Sequence, residues 1–137
     1  MKKILILLVF AITLAACIQK VPTVELGDAT VSVELAQTQE EWSKGLRFRE
    51  SLDADKGMLF IFGKEFMRTF WMKDAWIPVD MIFIGKDNKI NDIKKADPCE
   101  QEPCERYSAK AKYVLEVNQG FSEQHNVNAG DEVKINI

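Results

Sequence analysis

Hydrophobic and polar positions alternate in three stretches of the chain and give way to continuous apolar runs in two others. From Ala29 to Ala36, Val31, Val33 and Leu35 alternate with Ser32 and Glu34, a period of two that predicts a strand with one buried face. Lys112 to Val117 repeats the pattern, with Tyr113, Leu115 and Val117 on one face and Glu116 on the other. Glu132 to Ile137 repeats it again through Val133, Ile135 and Ile137. Gly57 to Phe62 is apolar throughout and ends at Gly63, which predicts a strand covered on both faces. Val79 to Ile84 is a second such run. Phe66 to Met72 reads as a further strand on its aromatics and Thr69, although Met67 and Arg68 blur the period. Gly85 to Lys89 has hairpin-loop composition, and Lys89 to Lys94 returns from it.

Helix signals are fewer. Thr38 followed by Glu41 forms a capping box, predicting a short helix over Gln39 to Lys44 that Gly45 ends. Trp42 and Leu46, four apart, would hold it to the core. Gln119 to Asn126 predicts a second short helix before a turn at Asn128–Asp131. The expected fold is mainly β (α+β): a compact, mostly antiparallel sheet or small barrel of about seven short strands with two short helices, over residues 24–137.

The first residues belong to a different pattern. Lys2 and Lys3 precede an apolar run from Ile4 to Ala16, broken only by Thr13. It is short for a membrane span and has the build of a signal peptide, residues 1–16. Its end, Leu14-Ala15-Ala16-Cys17, resembles the lipobox of bacterial lipoproteins, in which the cysteine is lipidated after cleavage. The alternative is an ordinary signal peptide or short anchor that contains a cysteine. Residues 17–23 then form a tether, and its last six residues reach roughly 20 Å at most. Each buried CH2 adds about 0.8 kcal/mol to anchoring, so several acyl chains on Cys17 would hold the domain at a membrane. Ile18 stands where an Asp marks retention at the inner membrane of Gram-negative cells, which points to the periplasm-facing outer membrane in such a cell.

With Cys17 assigned to lipid, Cys99 and Cys104 remain, in DPCEQEPCERY. An even pair in an exported chain suggests a disulfide; a metal site or a redox pair are the alternatives. Two thiols beside Glu100 and Glu102 are few for structural zinc, and the spacing is not C-x-x-C. The chain carries a net charge of −3, and without Lys2 and Lys3 about −5. That balance, with no basic stripe, argues against nucleic acid as a partner.

Several segments in order resemble one family. They are Lys44-Gly45-Leu46-Arg47-Phe48-Arg49 with Ser51-Leu52, Gly57-Met58-Leu59-Phe60, and Phe70-Trp71-Met72-Lys73 with Ile77-Pro78-Val79-Asp80. Pro98-Cys99, Tyr113-Val114-Leu115-Glu116-Val117 and Gly120 complete the set. This is the domain of unknown function 192 family, uncharacterised proteins of bacteria and archaea, often exported or lipoproteins. The resemblance spans roughly Val31 to Ile135 and implies a small, mostly β domain with no assigned reaction. The chain departs from the family's pattern at Arg47, where Met is usual, and at Asp74, where Asn follows the lysine. The second departure places a negative charge beside Lys73 and questions any role that needs that lysine unpaired.

The candidate binding residues are Arg49, Lys73, Asp80 and Glu116, with Trp71 and Trp76 as a rim. Asp80 enters an apolar strand, where a carboxylate needs a cation, such as Arg49 or Lys73, or several N–H donors. It could serve as a salt bridge or turn cap. Asp80 and Glu116 could equally act as acid and base if they met. Phe70, Trp71 and Trp76 read either as core or as the lining of a groove. Met58, Met67, Met72 and Met81 are soft ligands but lack the spacing of a copper motif, and methionine is an ordinary core filler. His125, the single histidine, lies in a polar segment and is expected to be solvated. No catalytic triad, metal site, cofactor or phosphate loop is indicated. The reading is a non-enzymatic, lipid-anchored binding or accessory module of the cell envelope, taking a small polar ligand or an envelope protein. An envelope-polymer hydrolase using Asp80 and Glu116, and a copper-handling protein, are the alternatives.

Overall fold

Seven strands form one mixed sheet in the order β5-β4-β6-β3-β2-β1-β7. In chain order they are β1 (Thr23–Leu26), β2 (Ala29–Ala36), β3 (Lys56–Phe70), β4 (Val79–Ile84), β5 (Ile90–Ala96), β6 (Tyr107–Asn118) and β7 (Val133–Asn136). Two short helices, α1 (Gln39–Lys44) and α2 (Phe121–Gln124), lie in the connections. The computed structural model describes residues 20–137; the expected signal peptide, Cys17 and the start of the tether lie outside the described residues.

The pairings are antiparallel except β2 with β3, which run parallel through the connection that carries α1. A parallel pair needs such a crossover, and the capped helix supplies it. Thr38 accepts the Glu41 N–H while the Glu41 side chain returns to the Thr38 N–H, as the sequence predicts. Trp42 fixes α1 by donating its indole N–H to the Ala36 carbonyl at 2.9 Å and stacking on Phe62.

The edge strands β5 and β7 meet at one bridge, Lys89 to Glu132. There the Gly130 N–H reaches the Ile90 carbonyl at 2.7 Å and the Val133 N–H the Asn88 carbonyl at 2.8 Å. The sheet therefore curls into a half-barrel with apolar residues on both faces. The inner core joins Val24, Val31, Leu59, Ile82, Leu115 and Val133. The outer core joins Met58, Phe60, Met81, Phe83, Val114 and Met72, and Trp42 and Phe70 pack against it. Burial on two faces explains why Gly57–Phe62 and Val79–Ile84 are continuous apolar runs.

Boundaries differ from expectation in physically instructive ways. The two strands expected at Gly57–Phe62 and Phe66–Met72 are one strand, β3, with a register shift between Ile61 and Phe66 where it crosses β6. Beyond that irregularity the strand leaves the core, and Phe66 and Met67 are exposed. A further strand, β1, follows the tether directly and pairs with both β2 and β7. β6 begins at Tyr107, five residues before the expected start, because it accompanies the outer half of β3. The second helix shrinks to four residues.

Gly57 is where β3 and β6 come closest. A Cβ there would lie 2.6 Å from the Glu116 carbonyl oxygen, so only glycine admits this approach.

Cys99 and Cys104 are joined by a disulfide. The loop they close leans on the 71–75 segment, since the Cys99 N–H donates to the Met72 carbonyl at 3.2 Å. Replacing both cysteines by serine is expected to lower stability by about 2 kcal/mol, the entropy of so small a loop. Urea unfolding of the oxidised protein and the double variant measures it; an unchanged midpoint would show that the loop is held by its other contacts alone.

Candidate functional site

The outer core is not fully covered. Between α1, the 45–47 turn, the outer half of β3 and the 71–75 segment lies a cleft of about 460 Å³. Its walls are Trp42, Phe62, Phe70 and Trp71, and Glu116 of β6 also lines it. Its size is that of a small-ligand site, and its lining mixes these aromatics with polar and charged side chains.

Strand register decides the position of Glu116. In β6, Leu115 and Val117 face the inner core, so Glu116 faces the outer one, with Met58 and Met81 as its cross-strand neighbours. Its side chain is only 6 % exposed and forms no hydrogen bond or ion pair among the described residues. Burial without a partner disfavours the charged form and pushes the Glu116 carboxyl up to about 7. A group in that state is expensive to retain as pure architecture.

Cations surround the mouth: Lys44, Arg47, Arg68 and Lys73 all line the cleft. Lys73 pairs with Glu102 of the cysteine loop at 2.9 Å. Arg47 pairs with Asp74 at 2.6 Å, while its Nε is buried without an acceptor. Arg68 has no carboxylate partner among the described residues. It lies over the Phe62 ring at 4.0 Å and donates through Nη2 to the Lys64 carbonyl at 2.6 Å. Partial burial holds its guanidinium below the usual range.

The 71–75 segment that carries Trp71 and Lys73 is fixed by its backbone. The Met72 carbonyl accepts from both Ala75 and Cys99, and the Asp74 carbonyl from Phe48 at 2.9 Å. Asp74 has a φ of 58°, in the left-handed region that Asn and Asp tolerate better than most residues. Arg47 and Asp74, the two positions expected from the sequence to depart from the pattern it resembles, are salt-bridged to each other. The charge on Asp74 is thus taken up by Arg47, and Lys73 finds its partner elsewhere.

Of the six residues expected to form a site, the structure brings together Glu116, Lys73 and Trp71. The other three lie apart. Arg49 forms a two-pronged pair with Glu34, at 2.5 and 2.7 Å, that lowers the Glu34 carboxyl and raises the guanidinium. Trp76 is 55 % exposed and stacks edge-on with Phe48, outside the cleft lining. Trp71, 40 % exposed, has Arg106 over its ring at 4.1 Å, so neither tryptophan is a core residue.

Asp80 and Glu116 do not meet as an acid–base pair. Asp80 is opposite Val117, and Met81 is opposite Glu116, so the two carboxyls point to opposite faces of the sheet. Asp80 is fully buried and its Oδ2 accepts the Ser122 N–H at 2.9 Å. It therefore caps α2, whose N-cap, Gly120, has no side chain to do so. Its Oδ1 and the Ser122 hydroxyl have no partner.

The methionines are divided as well. Met58, Met72 and Met81 are buried in the outer core, and Met67 is exposed. His125 is less solvated than its sequence context suggests: its ring lies against Phe121 at 4.5 Å and its Nδ1 is 3.1 Å from Asp28. Sequence reasoning missed Arg47, Arg68, Trp42 and Phe62 as cleft residues. The Met67-Arg68 interruption of an aromatic strand was the available signal.

Comparison with known proteins adds the following. The profile of DUF192, described as an uncharacterized ACR, matches residues 22–135. A candidate transcription regulator from Sinorhizobium meliloti 1021 superposes with a TM-score of 0.75 at 31 % identity, covering 83 % of this chain and 91 % of that one. A protein of unknown function from Novosphingobium aromaticivorans DSM 12444 superposes with a TM-score of 0.73 at 35 % identity, covering 83 % of each chain. A search of curated proteins returns no match.

Proposed function

The chain belongs to the domain of unknown function 192 family, and from that premise we propose that it is a lipid-anchored binding module of the cell envelope whose ligand enters the cleft over Glu116. The observation that carries this is a carboxyl 6 % exposed, without a partner among the described residues, in a cleft lined by aromatics and cations. Such a group favours a ligand that completes its hydrogen bonding. Binding is favoured over hydrolysis because Asp80, the second carboxyl a hydrolase would use, lies on the other face of the sheet. The lipobox-like Leu14-Ala15-Ala16-Cys17 supports the anchor. The Cys99–Cys104 disulfide supports an oxidising compartment.

Two measurements test this. The full chain is expected to raise its unfolding temperature saturably with the low-mass fraction of an enzymatic cell-wall digest, with no change in the digest's composition. New products would make it an enzyme, and no stabilisation would remove the binding function. In whole cells the chain is expected to partition into detergent after phase separation, and Cys17→Ser to move it to the aqueous phase. An unmoved Cys17→Ser variant would exclude the lipid anchor.

A further inference from the structure

The cleft holds an unmatched acceptor and unmatched donors together. Glu116 offers carboxyl oxygens with no donor among the described residues. Arg68 has no carboxylate partner among the described residues, although its Nη2 donates to the Lys64 carbonyl and its Nε to the Ala111 carbonyl, and Arg47 presents a buried Nε without an acceptor among them. The remaining cleft cation from the 71–75 segment, Lys73, is already paired with Glu102. A ligand that satisfied only one of these groups would leave the other covered and unpaired beneath it, which is unfavourable.

We infer that the cleft takes a zwitterion of the amino-acid class, a short peptide or amino-acid derivative that places a free ammonium against Glu116 and a free carboxylate on the guanidinium of Arg68. The inference rests on the binding function proposed above and names its ligand chemistry. Arginine suits the anionic end because its planar fork matches a carboxylate with two parallel hydrogen bonds. Here the guanidinium is oriented in advance, stacked on Phe62 and tied to the Lys64 and Ala111 carbonyls, which leaves Nη1–H and the second Nη2–H for the ligand. The walls, Trp42, Phe70 and Trp71, would take an apolar side chain. A cleft of about 460 Å³ is large enough for two residues and small for a folded partner. A neutral sugar would use the aromatic walls but leave both charged groups unanswered. A simple anion would leave Glu116 unanswered.

Isothermal titration of the full chain in mild detergent tests this with four probes: phenylalanylalanine, its N-acetyl form, its C-terminal amide, and chitobiose as a neutral sugar. The free dipeptide is expected to bind at least tenfold more tightly than either blocked form. Glu116→Gln should erase the discrimination against the N-acetyl form and spare that against the amide. Arg68→Gln should do the reverse. Because each end is also tested on the ligand, the result does not depend on either variant folding. Equal affinity for free and blocked dipeptides would overturn the zwitterion. Binding of chitobiose alone, lost in Glu116→Gln, would overturn the zwitterion while leaving the cleft a ligand site. Absence of binding by all four probes would overturn the zwitterion, and the cell-wall digest then decides separately whether the cleft binds anything.

Discussion

Glu116→Gln is expected to make the protein more stable at pH 8 by about 1–3 kcal/mol and to leave it little changed at pH 4.5. The Glu116 carboxyl is held at about 7 in the folded chain, against 4.5 as its ordinary value. Between those values the folded state holds a proton that the unfolded chain has released. Stability therefore falls as pH rises through this window and is flat above it, since both states are then ionised. At one pKa unit per 1.36 kcal/mol the full penalty is about 3 kcal/mol. The amide carries no charge to desolvate, though it must still bury polar atoms, so part of the gain is lost. The groups that face Glu116 do not alter the sign. Its cross-strand neighbours are Met58 and Met81, and none of the cleft cations Lys44, Arg47, Arg68 and Lys73 pairs with it.

Other carboxyls act in the opposite direction at lower pH. Hydrogen bonds from Arg49, and its charge, lower Glu34; the Lys86 backbone N–H lowers Glu65; Lys73 lowers Glu102. Their contribution is present above about pH 4.5 and lost as pH falls through their depressed values, and it is small because these side chains meet solvent. The wild-type profile should thus peak near pH 5, with a shoulder falling to pH 7 that Glu116→Gln abolishes. Urea midpoints at half-unit steps measure it. A wild-type profile without the shoulder would mean that Glu116 has a counter-ion in solution, and the unmatched site would not exist.

How much of this was legible beforehand depends on the range of each interaction. The helix cap at Thr38 and Glu41 and the continuous apolar runs are local patterns, and they appear as read, whereas Lys112–Val117, read as a strand with one buried face, is covered on both because β6 lies between β4 and β3 with a core on each side. Glu116 was placed on the face opposite Leu115 and Val117 by alternation alone. Which residues share that face is another matter, because it depends on register between strands distant in sequence. Asp80 and Glu116 each stand in apolar strands, and a shift of one residue in the β4–β6 pairing would have put them on one face. No local signal fixes that register. The same limit hid the cleft: Arg47 and Arg68 come from segments twenty-one residues apart and converge only because β3 continues past its irregularity. Trp71 and Trp76 read either as core or as a groove rim because they sit in an apolar run. The Met72 carbonyl, accepting from Ala75 and Cys99, turns the chain so that both rings point outward.

Asp80→Ala is expected to destabilise the protein by about 1–3 kcal/mol, while Asp80→Asn changes stability by less than about 1 kcal/mol. Asp80 Oδ2 is the acceptor for the Ser122 N–H, at 2.9 Å in a buried setting. Alanine leaves that N–H, the capped donor of α2, without a partner, a loss of about 1–3 kcal/mol. Asn keeps an oxygen for the same N–H at nearly the same size and shape. α2 matters beyond its length, because Phe121 and Val127 on either side of its end are packed into the inner core. The loss should therefore appear as lowered global stability rather than local fraying. Ligand affinity separates the two carboxyls. Asp80 lies on the inner face, so Asp80→Ala at a temperature where it remains folded should bind any cleft ligand as the wild type does, whereas Glu116→Gln should be stable and impaired. Urea unfolding and calorimetric titration of the same two variants read both quantities. A stabilised Asp80→Ala, or one that is folded yet cannot bind, would move the functional site to the inner face beside Ser122 and make the outer cleft incidental.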